Sequence, residues 1–235
     1  MDFNVEKCHV VRFGESKKRP VWEYKMGDEK IPSADKEKDL GVIIQEKLDP
    51  EDHINQITSK MYHLLANMKT AFTYVDADMV RKIITTYIRP QLEYASVVWN
   101  PYHVNDENKL ERIQRAATRW APELRDLTYE ERLKALNLPS LKERRKRGAF
   151  ITLYKCTSGM IEIDNPNFIP YSERTLRGHS KKIQKKRGDI DARKHFFPNG
   201  IVDEWNRLPE QIVSARNINQ FKKLYDEWTQ TDGTT

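Results

Sequence analysis

The chain has 235 residues, enough for one domain or two small ones, with 38% hydrophobic and 32% charged residues and a mean hydropathy of −0.80. That balance predicts thin helical layers in place of one thick core, with some segments left mobile. No run approaches the roughly 18 apolar residues of a membrane span, the start MDFNVEK lacks the order of a signal peptide, and Cys8 and Cys156 stand far apart without metal-ligand spacing. The expectation is an intracellular protein with two reduced thiols and no membrane partner, nuclear or cytoplasmic left open.

The first 48 residues read as short strands: Val10 and Val11 beside Cys8 and Phe13, then Val21, Trp22 and Tyr24, then Leu40, Val42, Ile43 and Ile44. Polar turns such as Met26-Gly27-Asp28 separate them, predicting a small antiparallel sheet. From Asp49 the period becomes helical. Asp49 is the expected N-cap and Pro50 the first helical residue, followed by Ile54, Ile57, Met61, Leu64, Leu65 and Met68 at three-four spacing. A second helix follows Asp78 and is ended or kinked at Pro90. A third, from about Asp106 to Trp120, places Leu110, Ile113, Ala117 and Trp120 on one face. Arg112, Arg115 and Arg119 fall within about 60° of one another on nearly the opposite face.

Thr128 with Glu131 and Ser140 with Glu143 have the spacing of capping boxes. The second opens a helix that begins with Lys142, Arg144, Arg145, Lys146 and Arg147 and stops at Ser158-Gly159. Residues 160 to about 195 read as loop or linker. A last helix follows Asn217. Charge is unevenly spread: residues 109–155 hold 13 Lys and Arg against 6 Asp and Glu, and residues 174–195 hold 9 against 2. Two basic blocks on an otherwise acidic chain suit a polyanionic partner, while a solvated surface accounts for either block alone. The runs Lys142–Arg147 and Lys181–Arg187 also have the composition of nuclear import signals.

Several strings are familiar as a series: FNVEKCHVVRFG (3–14), EKDLGVII (37–44), YIRPQLEYASVVWNP (87–101), KLERIQRAATRW (109–120), LRDLTYEERLKALNLPSLKERRKRG (124–148) and HFFPNGIVDEWNRLP (195–209). In this order they resemble the reverse transcriptase of non-LTR retrotransposons, of the jockey-like and chicken-repeat-like kind, downstream of its active site. The resemblance implies a truncated RNA-directed DNA polymerase: the end of the palm, a helical thumb and a basic tail. By resemblance Lys7-Cys8 belongs to the palm segment after the catalytic hairpin, Leu40 and Gly41 to the segment that grips the primer, and the helices from Asp49 to a thumb lying on the template-primer duplex.

The fold class expected is α+β, mostly α. Its parts are a palm remnant at 1–48, a thumb-like helical domain at 49–159, a basic linker at 160–195 and a C-terminal helical segment at 196–235. Arg112, Arg115, Arg119, Arg144, Arg145, Lys146 and Arg147 are the candidate contacts to RNA or an RNA/DNA hybrid. Polymerisation needs palm carboxylates that hold two divalent ions. The nearest string, Tyr74-Val75-Asp76-Ala77-Asp78, breaks the aspartate pair with Ala77, and Asp76 or Asp78 there suits an N-cap. No enzymatic activity, small-molecule substrate or cofactor is expected of this chain, magnesium belonging to the intact polymerase. The aromatic residues Trp99, Trp120, Trp205 and Trp228 occupy apolar helical positions and read as core. The competing expectation is an interaction module that docks onto a separate palm and fingers or onto a host protein, or a segment of a full-length polymerase.

Overall fold

The computed structural model describes residues 4, 7–14, 22–165, 167–172 and 178–232; Val21, Arg174 and Arg177 lie outside them. The chain is mostly helical with a few short strands, and it divides into two compact units. One comprises residues 1–95 and 101–138, the other 96–100 and 139–235. The division falls at Leu138, inside the span expected as a single helical domain, so the helix after Ser140 groups with the tail.

In the first unit the strands are β1 (Val10–Val11), β2 (Lys25–Met26), β3 (Glu29–Lys30), β4 (Ser33–Ala34), β5 (Lys36–Asp39) and β6 (Val42–Gln45). Among the described residues they form three two-stranded ladders, where the sequence led to one small antiparallel sheet. β1 pairs with β4 in parallel, whereas β2–β3 and β5–β6 are hairpins. Among the described residues each of these short strands pairs with one neighbour only.

Asp39 pairs with Val42, and Leu40 and Gly41 between them have φ of 45° and 89°. Both central residues of this two-residue turn are left-handed, which matches the twist of the flanking strands and suits Gly41 but not Leu40. The hairpin packs through β6 on α1 (Glu51–Ala71). There His53 is buried and its Nδ1 accepts the backbone N–H of Ile43 at 3.2 Å.

α1 begins one residue later than expected, with Pro50 at the cap, but Asp49 Oδ1 still accepts the Glu51 N–H at 2.9 Å. α2 (Ala77–Ile83) runs through a π-helical turn, Ile84–Ile88, into α3 (Arg89–Glu93). Pro90 lacks an N–H and crowds the preceding turn; the wider π turn absorbs this, and the helix neither ends nor breaks there. α4 (Ser96–Trp99) belongs to the second unit. α5 (Val104–Thr118) and α6 (Tyr129–Ala135) complete the first unit. Its core is drawn from the apolar stripes of α1 (Ile54, Met61, Leu65), of α2 and the π turn (Val80, Ile84, Ile88) and of α5 (Leu110, Ile113, Ala117), all buried.

The second unit is built around α7 (Leu141–Thr157) and the helices α8 (Asp191–His195), α9 (Val202–Trp205), α10 (Glu210–Val213) and α11 (Ile218–Asp232). Both expected capping boxes form, at Thr128 for α6 and Ser140 for α7. The core joins Phe150, Leu153 and Tyr154 of α7 to Trp205, Val213, Phe221 and Tyr225. Tyr154 and Phe221 stack at 4.3 Å between ring centres, and the Tyr154 hydroxyl donates to the Ala215 carbonyl at 2.6 Å.

The segment expected as a linker contributes Ile169 and Ile183 to this core. It is held by side chains from the tail. Trp205 Nε1 donates to the Lys181 carbonyl at 2.9 Å, and the Asn206 amide exchanges two hydrogen bonds with the backbone of Ile183. Backbone groups without a ladder partner are thereby satisfied by Trp and Asn side chains.

Candidate nucleic-acid interface

α5 is positioned by its apolar stripe. Leu110, Ile113 and Ala117 are buried against the neighbouring helices, which turns Arg112, Arg115 and Arg119 to solvent. The 3.6-residue period that buries one face therefore also gathers the three guanidinium groups on the other. They line a cleft of about 510 Å³ together with Tyr62, Tyr129 and Arg132. The Arg112 and Arg119 side chains make no hydrogen bond or ion pair among the described residues.

Tyr129, the first residue of α6, is the platform of this cleft. Its ring carries the Arg115 guanidinium at 4.6 Å and that of Arg132 at 5.7 Å. The phenol is fixed from below: it accepts from Gln114 Nε2 at 3.0 Å and donates to the Glu111 carboxylate. Gln114 is fully buried and its Oε1 accepts from Arg89 Nε at 3.2 Å. Burial, then the hydrogen bond to Glu111, pushes the Tyr129 hydroxyl well above the ordinary tyrosine range, so it stays a neutral donor.

Arg132 is buried, with Nε donating to Thr118 Oγ1 at 3.0 Å and a terminal nitrogen donating to the Leu127 carbonyl at 2.7 Å. Burial first, and then the charges of Arg119 and Arg115, push its guanidinium below the usual arginine range. The three cations repel one another across a concave surface, and that field favours an anion. Arg132 and the Arg89–Gln114–Tyr129–Glu111 chain escaped the sequence reading. Only the capping box beginning at Thr128 pointed toward this corner, and it spoke of a helix start alone.

The second basic run is placed differently. Arg145 is buried, Lys146 pairs with Glu204, and Arg147 makes a two-pronged ion pair with Asp226 at 2.6 and 2.8 Å. Arg144 is half-buried. Arg145 is thus packed inside the second unit, and exposed Lys146 and half-buried Arg147 are each ion-paired within it.

Leu40 and Gly41 form the hairpin tip. The Leu40 side chain is 83% exposed, and its carbonyl accepts from the Tyr94 hydroxyl at 3.0 Å. In the Tyr74–Asp78 string, Asp76 caps α2 by accepting the Met79 N–H at 2.8 Å, and Asp78 pairs with Lys82 at 2.7 Å. Among the described residues no group of three or more His, Cys, Asp or Glu is placed to hold a metal ion. No helix among them is long and apolar enough to cross a membrane.

Compared with family models, with curated proteins and with solved structures, the chain finds no match.

Proposed function

We propose that this chain binds RNA or an RNA/DNA hybrid through backbone phosphates, on the face formed by Arg112, Arg115 and Arg119. The observation that carries this reading is the Tyr129-floored cleft, in which three solvent-facing guanidinium groups meet a fourth that is buried and charge-strained. Its corner position on a helix rather than in a deep pocket suits a polymer backbone, and a planar guanidinium fork matches phosphate geometry. The resemblance to the thumb of non-LTR reverse transcriptases supports the same partner. Binding of this kind is tolerant of sequence and steeply salt-dependent, because phosphate contacts carry no base information.

The test is titration of the full chain against a labelled RNA/DNA hybrid at several salt concentrations, beside the variant R112E/R115E/R119E. Losing three phosphate contacts lowers the log–log salt slope by about 2.7. No binding at low salt by a wild-type chain whose circular dichroism is helical overturns the reading.

A second reading is favoured by one observation. Trp22, Tyr24 and Leu40 of the strand region are 65%, 52% and 83% exposed, more apolar surface than short ladders need to show. It makes this region a docking surface for a separate palm or a host protein. Concentration-dependent association that W22S/Y24S abolishes supports it; a monomer at all concentrations that captures no such protein removes it.

A further inference from the structure

The second unit carries a site that shares no residue with the arginine face of α5. Asn199 is its organiser. Its Nδ2 lies 3.0, 3.2 and 3.1 Å from the carbonyls of Lys186, Arg193 and Lys194, and its Oδ1 accepts the Lys186 N–H at 2.9 Å. This mostly buried amide ties two basic segments, Lys185–Gly188 and Arg193–His195, side by side. Gly188 permits the approach, since a side chain there would run into the stem of Arg193.

The cations held in this way are not equivalent. Lys185 pairs with Asp203, Lys194 with Asp191 at 2.9 Å, and Lys186 Nζ donates to the Asn167 carbonyl. Arg187 and Arg193 are exposed, and their side chains make no hydrogen bond or ion pair among the described residues. One carboxylate, Asp189, shares the basin of about 640 Å³ that Arg187 lines.

A second cleft, of about 350 Å³, adjoins that basin and shares Lys186 and Asn199 with it. Its lining combines Phe168, Phe196, Pro170 and Ile183 with the polar side chains of Asn165, Asn167 and Gln184, and Arg193 contributes to it as well. Phe168 and Phe196 meet edge to face at 5.5 Å, and Phe196 is half exposed. A cleft with aromatic rings and side-chain amides, beside two uncommitted guanidinium groups, suits a planar base joined to phosphate: the rings offer a stacking face and the amides hydrogen-bond partners for a base edge. Bases in a duplex are stacked on each other and cannot enter such a slot, whereas those of a single strand can.

We propose that the second unit binds single-stranded nucleic acid, with an unpaired base against Phe196 in the Phe168–Phe196 cleft and the adjoining phosphates on Arg187 and Arg193. The site goes beyond the hybrid-binding face in both residues and ligand, and each can fail without the other. The experiment uses the full chain and a short fluorescently labelled oligouridylate, with three variants: F196A, R187E/R193E and R112E/R115E/R119E.

F196A weakens single-strand binding about tenfold with an unchanged salt slope, as expected for loss of one stacked base. R187E/R193E lowers the slope by roughly 1.4, the value for two phosphate contacts on a single strand. R112E/R115E/R119E leaves the single-strand affinity within about twofold, because the two sites share no residue, whatever it does to the hybrid. R187K/R193K recovers most of the binding, which separates charge from misfolding. Single-strand affinity that is indifferent to both F196A and R187E/R193E overturns the proposal. So does full displacement by uridine monophosphate at a concentration equal to that of competing oligonucleotide sites, which makes the slot one for free nucleotides, or displacement by an acidic aromatic peptide, which makes it a protein site.

Discussion

Replacing Gln114 by methionine tests whether the arginine face rests on a buried polar chain. The side chain is fully buried and bridges Arg89 Nε and the Tyr129 hydroxyl. Methionine keeps the volume but removes both hydrogen bonds. Loss of the bond from the guanidinium costs about 1.5–3 kcal/mol, and loss of the one to the phenol, which still donates to Glu111, about 0.5–1.5 kcal/mol. Transfer of the apolar methionine side chain into the core offsets roughly 1 kcal/mol of this.

The net destabilisation is then about 2 kcal/mol, or roughly 4–8 °C in Tm for a unit of this size. Urea denaturation followed by circular dichroism should show a lower midpoint at an unchanged slope. Because Tyr129 loses one of its two anchors, Arg115 loses a rigid platform, and hybrid affinity falls even under conditions where Q114M is fully folded. Equal or higher stability of Q114M would refute the reasoning, since Arg89 would then be satisfied without Gln114.

Three further outcomes follow from particular residues. Leu40→Asn should stabilise the first unit by about 1 kcal/mol, because leucine pays for a left-handed φ that asparagine adopts readily, and the exposed side chain gives up little burial; a lower Tm shows instead that Leu40 packs. His179 donates through Nε2 to the Trp205 carbonyl at 2.9 Å while its buried Nδ1 has no partner among the described residues, and burial, reinforced by Lys182, holds it below the ordinary histidine range. The unfolded chain takes up the proton first on acidification, so stability is full above about pH 6.5 and falls as the pH drops toward the native value; H179Q should flatten that part of the pH–Tm curve, and an unaltered curve counts against it. Asp226→Ala, which frees half-exposed Arg147, should cost only about 1 kcal/mol and leave hybrid binding within twofold; a large gain in affinity would show that Arg147 can join a phosphate-binding face once released.

Local physics was legible in the chain itself. The capping boxes at Thr128 and Ser140, a cap at Asp76 or Asp78, which the structure places at Asp76, and the convergence of Arg112, Arg115 and Arg119 all depend on residues within one or two helical turns. Periodicity and capping act over that range, so composition and spacing suffice to read them. Pairing across the fold left no such trace. Arg147 sits in a run of cations, yet its partner Asp226 is 79 residues away.

The basic stretch after residue 160 lacks apolar periodicity and reads as a linker, yet Trp205, Asn206 and Asn199 tie its backbone down from a segment further along the chain. Whether a cation faces solvent or an internal carboxylate is decided by which elements meet, because Coulomb and hydrogen-bond energies depend on distance in space and not along the chain. The sequence alone determined a mostly helical chain with an arginine-bearing helix face. Only the tertiary structure decided that Tyr129 floors that face, that the second basic run is largely spent on packing and ion pairs, and that Arg187 and Arg193 remain open beside an aromatic cleft.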